Sequence, residues 1–194
     1  PLAVLADREA CRYLSGSAWH LYAGEISALS AVHAAHPDMK LYFTEQWVGS
    51  DGQFGPDLLW HARNVLIGSL CNWSAAVFEW NLASDPLCGP HTAGGEARCV
   101  GALTIGDGIS RNVAYYVIAH AAKFVRPGSV RIFSQADAPL HSVAFLAPDG
   151  QIVLLVLNEA DQARSFSIAF RDRHAEVRLP AAALLSCVWP AAAT

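Results

Sequence analysis

Two different rhythms divide this chain near residue 126. Upstream, short apolar strands alternate with helical stretches; downstream of Arg126-Pro127-Gly128, strand follows strand with no helix between. The upstream rhythm occurs three times. Ser17 to Tyr22, Leu41 to Thr44 and Ala75 to Trp80 carry the apolar and aromatic residues of buried strands. Glu25 to Ala35, Pro56 to Asn72 and Arg111 to Phe124 carry residues of one face at helical spacing: Ile26, Leu29 and Val32 or His33; Leu58, Ala62, Val65, Leu66 and Ser69; Val113, Tyr116, Val117, His120 and Phe124. Asp7 opens a further short helix to Leu14 as its N-cap, and His36-Pro37 ends the second helical stretch, since proline cannot continue a helix. Consecutive βα units imply parallel strands, because each helix must carry the chain back across the sheet. Three such strands cannot close a barrel, which takes eight. The expectation is the last three βα units of a (β/α)8 barrel.

The downstream segments Val130 to Gln135, His141 to Leu146, Gln151 to Asn158, Ser165 to Phe170, Ala175 to Leu179 and Leu184 to Trp189 read as an antiparallel β-sandwich. Pro148-Asp149-Gly150 is a hairpin turn. Phe166, Ile168 and Phe170 alternate with small residues, as in a half-buried strand, whereas Ile152 to Leu157 is apolar on both faces and reads as a central one. The fold class is therefore α/β plus all-β, with domains at 1–126 and 127–194. Asn81 to Ser110, rich in glycine and proline, is a long loop of the kind that carries function.

Composition narrows the function. With 53% hydrophobic and 15% charged residues, the 194-residue chain can bury a core, so it is not a disordered protein. The net charge of −4 without a basic run argues against nucleic acid as a partner. The longest apolar runs are too short to cross a bilayer as a helix. Five cysteines without a C-x-x-C pair disfavour zinc; Cys88 and Cys99 lie close enough in sequence to leave a disulfide open. No H-E-x-x-H, G-x-S-x-G, P-loop or dinucleotide fingerprint is present, so neither a metal nor a cofactor is expected.

Chemistry is expected where the parallel strands end. In barrel enzymes catalytic groups sit at the carboxyl ends of strands. Three neighbouring strands here finish in Tyr22, Glu45 and Trp80. An indole face stacks on the apolar side of a sugar ring, and a phenol can donate to a carboxylate. Trp47 lies two residues beyond Glu45 and either lines the same cleft or packs beneath its loop. His20 lies two residues before Tyr22, on the same side of its strand. Asp51 and Glu79 are weaker carboxylate candidates, and Glu79 should point away from the barrel interior because it precedes Trp80.

In these residues the chain resembles the C-terminal part of a glycoside hydrolase family 30 enzyme, the glucosylceramidase-like group of clan A. The resemblance runs in order through Asp7-Arg8-Glu9-Ala10 with Tyr13, His20-Leu21-Tyr22, Tyr42-Phe43-Thr44-Glu45-Gln46-Trp47-Val48-Gly49-Ser50, Glu79-Trp80-Asn81-Leu82, Gly101 to Ile105, and His120 to Ile132. It implies that the three strands are the sixth to eighth of the barrel. It implies that Glu45 is the nucleophile of a retaining hydrolase of β-glucosides, glucosylceramidase-like or β-1,6-glucanase-like, that Tyr22 hydrogen-bonds it, and that Trp80 walls the sugar site. The acid/base residue of such enzymes comes from a fourth barrel strand that has no counterpart here, so the resemblance also implies dependence on a preceding part of the barrel. Relatives of this kind are commonly exported, which suggests a secreted or periplasmic setting. The competing expectation is a non-catalytic piece whose β domain serves as a structural or sugar-binding module.

Overall fold

The computed structural model describes residues 1–191. The chain forms two compact units that meet between Ile118 and Ala119 in sequence. The first unit opens on α1 (Leu2–Ala6), a turn not foreseen, and α2 (Arg8–Cys11). Asp7 separates them: its extended backbone ends α1, and its carboxylate accepts from the Glu9 and Ala10 amides that α2 cannot satisfy internally.

β1 (Gly16–His20), α3 (Ala28–Ala35) and β2 (Lys40–Glu45) follow, then the short β3 (Val48–Gly49). α3 buries Leu29 and Val32 against Leu5 and Leu41, with Trp19, Ile26 and Met39 packed around them. Gly16 is required where β1 meets β2, since a Cβ there would lie 2.5 Å from the Lys40 carbonyl oxygen. The next helical stretch is continuous but not uniform. α4 (Phe54–Trp60) runs into a π-helical segment, His61–Gly68, and ends as α5 (Ser69–Cys71). A plain α-helical period was expected; the π-helical turns bury His61, Ala62, Val65, Leu66 and Ile67.

β4 (Ser74–Val77) completes a parallel sheet of order β1-β2-β4. β2 is its middle strand, and Leu41 and Phe43 are fully buried. All three strands point the same way, as the crossover argument requires, and three strands leave the barrel open. The segment after β4 is more structured than expected. It carries β5 (Ala83–Ser84), β6 (Cys99–Val100), β7 (Leu103–Ile105) and β8 (Ile109–Arg111). β5, β7 and β8 form one small sheet, and β6 pairs antiparallel with β3. α6 (Val113–Ala122) buries Val113, Ala114 and Val117. Tyr116, expected on that stripe, is exposed: with Ala114 on the buried face, Tyr116 falls on its flank and sets its ring edge-on to Phe54.

The second unit holds β9 (Val130–Ile132), β10 (Leu140–Leu146), β11 (Gln151–Asn158), β12 (Arg164–Phe170), β13 (Arg173–Leu179) and β14 (Ala183–Pro190). One antiparallel sheet has the order β14-β11-β10-β9, and β12 with β13 forms a second. Ala144, Leu154 and Val156 of the first meet Leu179 of the second, with Phe166, Ile168, Leu185 and Trp189 completing the core. β11 is an inner strand buried from Ile152 to Asn158, as its two-faced apolar run demands. Gly150 takes a φ of +79° in the hairpin between β10 and β11, where Asp149 also accepts from the Gln151 amide. His120 is half-buried and bonded through Nδ1 to the Ser186 hydroxyl at 2.7 Å, the packed and satisfied role expected of it.

Candidate active site

The parallel register brings three strand ends to one rim. Glu45 closes β2 and pairs with His20, the last residue of β1. The pairing of β2 with β4 continues beyond both strands: the Phe78 amide donates to the Phe43 carbonyl at 2.9 Å, the Trp80 amide donates to the Gln46 carbonyl at 2.7 Å, and Trp47 bridges Trp80 in parallel. Gln46 is buried and braces the turn, its amide nitrogen donating to the Leu21 carbonyl while its carbonyl accepts from the Trp47 amide. Tyr22, Glu45, Trp47 and Trp80 thereby face one cavity of about 620 Å³, within the range of small-ligand sites.

The Tyr22 hydroxyl donates to Glu45 Oε1 at 2.8 Å. Partial burial, and next the Glu45 carboxylate itself, push the phenol above its ordinary range, so Tyr22 stays a neutral donor at any working pH. His20 Nδ1 lies 3.8 Å from the same oxygen, too far for a hydrogen bond, and the His20 ring meets Tyr22 edge-on. His20 is beside Glu45 but outside the cavity lining. A carboxylate steadied on one oxygen by a neutral phenol can act as a nucleophile or stabilise an adjacent positive charge.

Glu79 turns away from this cavity and is buried against the π-helical segment, where its Oε1 lies 2.8 Å from His61 Nδ1. Burial raises its pKa and His61 opposes the rise. Asp51 does not line the cavity either; it pairs with Arg98 at 3.1 Å.

The rest of the lining comes from the segment after β4 and includes His91, Thr92 and Glu96. The sequence pointed to this segment only by its length and its glycines. The β3–β6 pairing and a hydrogen bond from the Ser50 amide to the Arg98 carbonyl fasten it to the residues after Glu45. Arg98 forks onto Glu96 through Nε to Oε1 at 2.8 Å and Nη2 to Oε2 at 3.0 Å, and stands over the Trp47 indole, 5.6 Å from its centre. This fork holds the Glu96 carboxyl below its ordinary range, so the cavity's second carboxylate is a poor proton donor. Cys88 and Cys99 both line the cavity as free thiols, so the disulfide left open is not formed.

Comparisons with known proteins agree with this architecture. The glycosyl hydrolase family 30 TIM-barrel domain matches residues 2–125, and the glycosyl hydrolase family 30 beta sandwich domain matches residues 128–187. The chain is 34% identical over 161 residues to endo-1,6-beta-D-glucanase neg1 of Aspergillus fumigatus, a match covering 77% of this chain and 32% of that protein. It is 27% identical over 186 residues to lysosomal acid glucosylceramidase of Mus musculus, covering 87% and 35%. Of solved structures, the endo-beta1,6-glucanase BT3312 superposes with a TM-score of 0.91 at 31% identity, over 99% of this chain and 44% of that one. This chain thus spans about a third of the length of the curated relatives it matches. It belongs to glycosyl hydrolase family 30, carrying part of the TIM-barrel domain followed by the beta sandwich domain.

Proposed function

We propose that this chain supplies the nucleophile half of a retaining hydrolase of β-glucosides. Glu45 attacks the anomeric carbon to form a covalent glucosyl ester. Tyr22 orients the carboxylate by holding Oε1. Trp80 stacks on the apolar face of that sugar, Trp47 walls the same cavity, and His20 lends the site an imidazole near the reacting carboxylate. Retaining hydrolysis needs a second carboxyl group roughly 5–5.5 Å from the first, to protonate the leaving oxygen and then activate water. That group comes from a preceding part of the barrel, outside this chain. The observation that carries the reading is the Tyr22–Glu45 hydrogen bond in a cavity flanked by two tryptophans. The relatives' names, β-1,6-glucanase and glucosylceramidase, support a β-linked glucose as the substrate unit.

The experiment is Glu45→Ala in the enzyme that carries this chain together with the preceding barrel strands. Hydrolysis of 4-nitrophenyl β-glucoside is lost. Added azide restores turnover by attacking once from the face that Glu45 occupied, so the product is α-glucosyl azide. A β-configured azide product contradicts the assignment.

The Arg98-bound state of Glu96 favours a second reading of the isolated chain, as an incomplete catalyst. Proton transfer alone contributes roughly 10²–10⁴-fold. The 194-residue chain by itself should therefore show no β-glucosidase activity above background; turnover comparable to that of the longer enzyme contradicts this.

A further inference from the structure

We propose that Glu96 sets substrate specificity: its carboxylate accepts a hydroxyl of the sugar unit on the leaving-group side of Glu45, with the Trp47 indole stacked on the same unit. The inference rests on the β-glucoside reading above and names the class of leaving group, a second pyranose.

Glu96 lines the same cavity as Glu45 and keeps 41% of its side chain exposed, so a ligand can reach it. Its orientation is fixed from one direction. Oε1 accepts from the Arg98 Nε at 2.8 Å and the Arg98 amide at 3.0 Å, while Oε2 accepts from Arg98 Nη2 at 3.0 Å. A carboxylate offers about four acceptor positions, so Oε2 retains capacity for a donor from the cavity. A sugar hydroxyl is such a donor, and a hydrogen bond to an ionised acceptor is among the stronger ones available.

One guanidinium organises the whole wall. Arg98 fixes Glu96, lies over the Trp47 ring, and is itself anchored by Asp51 at 3.1 Å. The acceptor and the stacking surface are thus held together before any ligand arrives, which lowers the ordering penalty on binding. An indole face beside a fixed carboxylate suits a pyranose, which has apolar faces and a hydroxyl-bearing edge. It suits a purely aliphatic leaving group poorly, because the carboxylate would lose water without gaining a donor.

Position selects which sugar unit is held. Glu45 rises from a strand end, whereas Glu96 belongs to the loop wall joined to Val48 and Gly49, just after Trp47, through the β3–β6 pairing. The unit whose anomeric carbon reaches Glu45 occupies the strand-end floor, and the next unit meets the wall.

The test uses the enzyme carrying this chain and the preceding barrel strands. kcat/KM is measured on gentiobiose, whose leaving group is glucose, and on 4-nitrophenyl β-glucoside, whose leaving group is not a sugar. Glu96→Gln keeps the volume and Glu96→Ala removes the acceptor; circular dichroism verifies that each folds. Both variants should lose on gentiobiose at least about 10-fold more than on the aryl glucoside, within the roughly 10–150-fold attributable to one charged hydrogen bond, with KM bearing most of the loss. Equal losses on both substrates overturn the inference and reduce Glu96 to a structural partner of Arg98. A wild type that cleaves the aryl glucoside but not gentiobiose overturns it too, while leaving the β-glucoside reading intact. A wild type that cleaves neither, with Glu45→Gln making no difference, overturns the reading itself.

Discussion

The Tyr22 hydroxyl and Glu45 Oε1 are 2.8 Å apart, yet Glu45 ends β2 while Tyr22 lies just beyond the end of β1, 23 positions away in sequence. The parallel register of β1 and β2 makes this contact: His20 lies opposite Glu45, and two further residues carry the chain to Tyr22 above it. If Glu45 is the nucleophile, the phenol holds its charge in place until the ester forms.

Tyr22→Phe removes that donor with little change in shape. A hydrogen bond to a charged group contributes roughly 1.5–3 kcal/mol, so kcat/KM on an aryl β-glucoside should fall about 10–100-fold in the longer enzyme. Steady-state kinetics with matched melting temperatures checks this. An unchanged kcat/KM would show that Glu45 needs no support from Tyr22.

The buried His61–Glu79 pair predicts a stability effect remote from the cavity. His61→Ala leaves the Glu79 carboxyl buried without its hydrogen-bond partner, and stranding a buried polar group in this way costs roughly 1–3 kcal/mol. Urea denaturation measures the loss. A change below about 1 kcal/mol would mean that the segment relaxes to solvate Glu79.

The same carboxyl predicts a pH signature. Burial raises its folded-state pKa above the ordinary value of 4.5, with His61 opposing the rise, so the folded chain binds this proton more tightly than the unfolded chain. The stabilisation is full below 4.5 and is lost as pH climbs through the raised folded value. Glu79→Gln cannot titrate. The melting temperature of wild type relative to Glu79→Gln should therefore decline as pH rises above 4.5; a flat or rising difference contradicts the burial argument.

Asn158 anchors the second unit. It is fully buried, its side-chain amide donates to the carbonyls of Gln162, Leu179 and Pro180, and its oxygen accepts from the Ala160 amide. Asn158→Ala strands several of these groups, each worth roughly 1–3 kcal/mol when buried without a partner. A loss of about 3 kcal/mol in chemical denaturation is expected, and a neutral substitution would contradict the network.

Much of this fold is written in local pattern. The two-faced apolar run from Ile152 to Leu157 could only be an inner strand, and Asp7 before Arg8-Glu9 is a capping signal that needs no distant partner. The rim residues Tyr22, Glu45 and Trp80 were legible because strand ends and crossover direction follow from the βα alternation. What stayed hidden depends on distant contacts. The π-helical segment lies where an ordinary helical period reads just as well, and Tyr116 left the expected stripe because Ala114 occupies the buried face. Glu96 and Arg98 carried no signal at all. Two opposite charges two residues apart in a glycine-rich loop are ordinary until β6 pairs with β3 and sets the guanidinium over Trp47.

The most direct measurement is trapping of the glycosyl-enzyme. The longer enzyme is inactivated with an activated 2-deoxy-2-fluoro-β-glucoside, digested, and sequenced by mass spectrometry. A fluoroglucosyl ester on Glu45, with inactivation abolished in Glu45→Gln, is the predicted result; an ester on Glu96 or on any other carboxylate contradicts the account.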